Sequence, residues 1–191
     1  MRTCLRWAPL LLLGVGLLPG CTGKSRLPID SAAEAKRLEH EVHDEVNKVR
    51  RQRGLSVLKW DGALSRIATG HSRDMGRRDY FDHVSPSGGT MAQRYEAGRY
   101  RCHAPINSTR YATGGENLFL THRSASYILH QSGRREETEI RSIREVATMV
   151  VEGWMTSPGH RENLLTPHWR KEGIGVFLDD DGEIYVTQNF C

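Results

Sequence analysis

Apolar residues recur along this chain with two different periods. Leu38, Val42, Val46 and Val49 fall three and four apart, which predicts a helix from about Ser31 that Gly54 ends. Leu64, Ile67, Ala68, His71 and Met75 form a second helical stripe, with Asp61 placed to cap its first turn. A short helix over 90–97 turns Met91 and Tyr95 inward. Ile143, Val146, Ala147 and Val150 give the apolar face of a helix over 140–155. Ser157, Pro158 and Gly159 stop it, because the residue before a proline is pushed out of helical geometry. A second short helix is then expected to open at His160. The run Leu118, Phe119, Leu120 predicts a buried strand beginning at Glu116. Residues 173–178 and 184–190 flank a turn containing Asp181 and Gly182, a strong hairpin signal. Stretches 100–113 and 121–139 are polar and read as insertions.

The first 21 residues follow different rules. Arg2 and Arg6 precede an apolar core over 8–18, and Leu18, Pro19, Gly20 and Cys21 resemble a bacterial lipobox. A lipoprotein signal peptide over 1–20 is expected, then a lipidated Cys21 with a tether to residue 32, then one domain over 33–191. The membrane is thus an expected partner through the lipid anchor, in the bacterial envelope at the outer membrane or cell surface.

The formal charge of +4 falls to +2 once Arg2 and Arg6 are removed (4 less 2), and no basic run is interleaved with aromatics. That balance argues against nucleic acid as a partner. Nothing in the sequence calls for more than a monomer. Of four cysteines, Cys102 and Cys191 remain for the domain. An exported chain meets an oxidising compartment, so a bridge between them and two free thiols both stay open. Within the first helix, His40, Glu41, His43 and Asp44 read as a solvent-facing group rather than a metal site, and His71 as a packed histidine.

His83, Glu116 and His160 carry the main case for chemistry. Each lies where the chain leaves a regular element, at the rim where sites form. Two neutral imidazoles and a carboxylate suit Zn2+ or another divalent metal with open positions for water. The same three residues could equally form a hydrogen-bonded network bracing the fold. A serine hydrolase pairing Ser85 with His83, or Ser157 with His160, lacks a nucleophile-elbow context and an evident third partner.

Five ordered stretches carry a family resemblance: 55–61, Phe81 to His83, Gly115 to Asn117, Gly153 to His160, and the closing pair 173–176 with 185–188. Together they resemble the CAP superfamily of cysteine-rich secretory proteins, antigen 5 and pathogenesis-related proteins, in its bacterial form. The resemblance implies an α/β fold: a single α/β/α sandwich with a small, mainly antiparallel sheet between helical layers. It also implies that His83, His160 and Glu116 line one cleft, and that the cleft can hold a metal. Many eukaryotic members carry a second cleft carboxylate three residues after the tryptophan, where this chain has Ser157. Glu152 lies about 140° away around the helix and does not replace it. The function this implies is an envelope-anchored, extracytoplasmic binding module for a small, lipidic or glycan ligand. The alternative is a metal-dependent hydrolase of envelope or extracellular substrates.

Overall fold

The computed structural model describes residues 31–191; the expected signal peptide, Cys21 and nearly all of the tether lie outside them. Helix α1 (Ser31–Gln52) buries Leu38, Val42 and Val46, and the chain turns at Gly54, whose φ is +70°. After a two-residue strand, β1 (Lys59–Trp60), helix α2 (Gly62–Arg78) opens on Asp61. The Asp61 carboxylate accepts from the amides of Ala63 at 2.9 Å and Leu64 at 3.2 Å. Helix α3 (Met91–Ala97) starts with a capping box between Thr90 and Gln93. Strands β2 (Ala104–Pro105), β3 (Tyr111–Ala112), β4 (Gly115–His122), β5 (Ser124–Leu129) and β6 (Arg135–Ile140) follow. Then come α4 (Ile143–Thr156), α5 (Pro158–Leu165), β7 (Lys171–Leu178) and β8 (Glu183–Phe190).

The main sheet has the order β1-β7-β8-β4, and only the β1–β7 pair is parallel. Helix α2 covers one face through β7 and β8; α1 and α4 pack together on the other. This is an α/β/α sandwich. Side chains alternate across a strand. Thr187 therefore meets Ser72 of α2 at 2.8 Å, while Phe190, an odd number of residues away, stacks on Trp169 within the other core layer. On β7 the α2-facing positions include Gly173 and Gly175. A Cβ at either would run into the α2 backbone, at Ser65 or Thr69. The pair lets helix and strand approach without an intervening side-chain layer.

The structure departs from the sequence reading where polarity hid order. Within 121–139, read as an insertion, β5 and β6 pair antiparallel as an arm, with Ile128 and Leu129 exposed. Within 100–113, β2 and β3 pair as well. Helix α4 begins at Ile143, not at residue 140, because Ser142 and Glu145 form a capping box there. Helix α5 begins at Pro158, a residue preset for the first helical position. His160 thus sits inside the first turn instead of opening the helix. Cys102 and Cys191 are bonded, with Cα atoms 5.4 Å apart, tying the loop after α3 to the C-terminal residue.

Candidate functional site

The free edge of β4 is where three layers meet. Glu116 and Asn117 are neighbours on this strand, so their side chains leave on opposite faces. Glu116 turns toward the α2–α3 side. There it accepts from Nδ1 of His83 at 2.9 Å, and from Nη2 of Arg94 at 2.8 Å to each oxygen. Because a carboxylate only accepts, His83 carries its proton on Nδ1, and its Nε2 is left for the cleft. Arg94 also donates to the carbonyls of Gly89 and His83, both at 3.1 Å. A buried carboxylate demands such partners.

Asn117 turns the other way. Its amide donates to the His160 carbonyl at 3.1 Å and to Gln188 at 3.0 Å, and it accepts from Asn163 at 3.0 Å. Asn163 also donates to the Glu116 carbonyl at 3.2 Å, so α5 is fastened to β4 along two amides. The result brings the rings of His83 and His160 to 6.4 Å between centroids, tilted by 55°. His83 is half exposed and His160 partly buried. Burial, then the neighbouring His83, lower the pKa of His160, which favours the neutral imidazole.

The other titratable candidates have structural partners. His71 is buried, donating from Nε2 to the Asp82 carbonyl at 3.1 Å, which fixes the turn carrying His83. Its Nε2 lies 4.0 Å from Glu116; burial lowers its pKa, against an opposing pull from that carboxylate. The His40 ring lies against Trp60, 4.7 Å between centroids and tilted by 36°. His43 bonds Glu172 at 2.6 Å, and Glu172 bonds Gln188 at 2.6 Å, extending the Asn117 network through the core to α1. Burial opposes the charge on His43, yet the bond to Glu172 outweighs it and raises the pKa. Ser85 accepts from the Gly89 amide at 2.9 Å, a turn role, and Ser157 caps without a side-chain bond. Neither is hydrogen-bonded to a histidine among the described residues.

Sequence reasoning brought His83, Glu116 and His160 to one place but missed Arg94, Asn117 and Asn163. Both asparagines lie inside or just beyond the quoted stretches, at the third place after Gly114 and after His160. Arg94 left no signal: it is one of many arginines on a helix. A sequence model of CAP, the cysteine-rich secretory protein family, matches residues 43–190.

The chain belongs to the CAP family.

Two Bacillus subtilis proteins are similar to it over most of this chain. A Bacillus subtilis protein described as the uncharacterized membrane protein YlbC is 30% identical over 152 residues, covering 80% of this chain and 34% of YlbC. The uncharacterized protein YkwD from the same organism is 27% identical over 170 residues, covering 89% and 53%. This CAP chain therefore spans between a third and about half the length of those relatives. An extracellular protein containing an SCP domain from Bacillus anthracis, solved by crystallography, superposes with a TM-score of 0.61 at 27% identity, over 86% of this chain and 43% of its own.

The CAP site offers a metal two imidazoles rather than three ligands. Both oxygens of Glu116 are engaged by Arg94 and one also by His83, so the carboxylate orients His83 instead of presenting itself to an ion. Among the described residues no group of three His, Cys, Asp or Glu is arranged to hold a metal. A Zn–N distance of about 2.0–2.1 Å, plus roughly 1.1 Å to each ring centre, sets two imidazoles about 5.2 Å apart between centroids around a tetrahedral ion. The observed separation of 6.4 Å is wider than that. His83 and His160 would have to close by about 1 Å to share an ion, and Glu116 does not fit as its third ligand.

Proposed function

We propose that this CAP protein is an extracytoplasmic binding module of the bacterial envelope whose cleft takes its ligand between His83 and His160. The observation that carries the reading is the pairing of a half-exposed imidazole, oriented by Glu116, with a second imidazole whose ring centre lies 6.4 Å away. His83 Nε2 and His160 would hold a divalent ion such as Zn2+, which would leave positions free for a small ligand's oxygens. The hydrolase alternative lacks support in the geometry: Glu116, the carboxylate bonded to His83, is held by Arg94 and not free to act as a base.

Zinc titration of the purified protein by calorimetry tests this. About one equivalent should bind, and His83→Ala and His160→Ala should each weaken binding by roughly tenfold or more. Unchanged heats in both variants would sink the metal reading. Ester or amide turnover by the zinc-loaded protein, lost in His160→Ala, would move the function to hydrolysis.

The envelope placement rests on the lipobox-like Cys21 and on the membrane and extracellular descriptions of the relatives. Several acyl chains on one cysteine hold a protein at a bilayer stably. Expressed in a bacterial host, Cys21→Ala should shift the protein from the membrane fraction to the soluble one. A variant that still sediments with membranes would remove the anchor from the proposal.

A further inference from the structure

Helix α3 has two working faces. Arg94 leaves one of them toward the histidines, whereas Ala92 and Glu96 lie about 160° around the helix from it, on the opposite one. That opposite face lines a cleft of about 690 Å³, which none of the residues of the His83–His160 site lines.

The helix ends there in an unusual way. The Tyr100 amide bonds the Tyr95 carbonyl at 2.8 Å and the Arg99 amide bonds the Glu96 carbonyl at 2.9 Å, the two bonds of a Schellman cap. The left-handed residue of such a cap is usually glycine, since a Cβ crowds the following carbonyl. Here it is Arg99, with φ +52°. Glycine stands one residue earlier, as Gly98, where φ is an ordinary −75°. A strained arginine beside an unstrained glycine points to a use for the side chain itself.

That side chain lines the cleft, and so does Arg101. Neither guanidinium has an ion-pair partner among the described residues, although Glu96 lines the same cleft. Tyr111, 55% exposed, lines the same cleft. Its ring is steadied by His103 at 4.0 Å between centroids, near perpendicular. Its backbone pairs with Pro105, and the Cys102–Cys191 bond anchors the same loop. The platform is built before any ligand arrives, which reduces the ordering cost of binding.

Two unpaired guanidiniums match the planar, two-oxygen geometry of a carboxylate. An exposed, fixed aromatic ring offers a flat apolar surface to a ring that is polar at its edge and apolar on its face. We propose that this cleft binds an acidic saccharide, its carboxylate between Arg99 and Arg101 and its pyranose ring laid on Tyr111. The proposal is independent of any metal or ligand at His83 and His160.

Calorimetric titration of the purified protein with oligogalacturonate provides the test. Millimolar oligogalacturonate should bind, more weakly as salt rises. Arg99→Gly, Arg101→Gln and Tyr111→Ala should each weaken it about tenfold or more, and His83→Ala should leave it unchanged. Arg99→Gly should also melt no lower than the parent, because glycine relieves the left-handed strain. That separates lost binding from lost fold. The proposal is overturned if the parent does not bind, or if uncharged maltotriose binds equally well. It also fails if Arg99→Gly binds as tightly as the parent, or if inorganic phosphate binds as tightly and Tyr111→Ala has no effect, which would make the cleft a simple anion patch.

Discussion

Replacing Trp154 with alanine should cost about 3–5 kcal/mol of folding free energy, the range for truncating a buried tryptophan. The indole is wholly buried in the core between α4 and the sheet. Its Nε1 donates to the Leu118 carbonyl at 2.9 Å, bolting α4 to the strand that carries Glu116. Truncation therefore opens a cavity and strips that carbonyl of a side-chain donor. For a domain of this size the melting temperature should fall by roughly 8–15 °C. Trp154→Phe keeps most of the volume and should recover more than half of the loss. A melting temperature for Trp154→Ala within about 2 °C of the parent would show that α4 does not rely on the indole.

Gly175→Ala should be nearly as damaging, although it adds only one methyl group. The new Cβ would overlap the backbone of Ala68 and Thr69 in α2, where no rotamer change can relieve the clash. Helix and strand must separate, and that loosens the packing along the α2 interface with β7 and β8. Overpacking of flexible neighbours costs about 1–3 kcal/mol, and a backbone clash should reach or exceed the top of that range. Denaturant unfolding of the variant measures it directly. Gly70→Ala is the control: its Cβ would meet nothing within 4 Å, so the helix should tolerate or even prefer alanine. Equal stability for the two variants would mean that α2 does not sit as close to β7 as described.

The helices and the closing hairpin were legible because their apolar residues repeat with a period that only one element can bury. The cleft histidines were legible as part of longer stretches matched in order, not from their own spacing. What stayed hidden depends on partners distant in sequence. Arg94 matters because Glu116, 22 residues on, needs a counter-ion when buried, and no local pattern records that need. The arm over 124–140 was hidden for another reason: β6 carries Glu136, Glu137 and Glu139, and a strand exposed on both faces has no alternation to read. Glu116 was open to two readings, as a ligand and as part of a hydrogen-bonded network, and its contacts with Arg94 and His83 are those of the network.

The bond between Cys102 and Cys191 closes a covalent ring around everything from β2 to the C-terminal residue, with a separation of 89 positions. The β5–β6 arm lies within that ring, yet it contributes to neither of the two buried clusters beyond its base. A protease that severs the arm at its tip therefore divides the polypeptide without dividing the molecule. The two pieces stay joined by sulfur, and β4 from one remains zipped to β8 from the other. Under denaturing conditions the nicked protein would travel as a single species until a reductant separates the pieces, and the tip, packed on neither cluster, should tolerate inserted sequence.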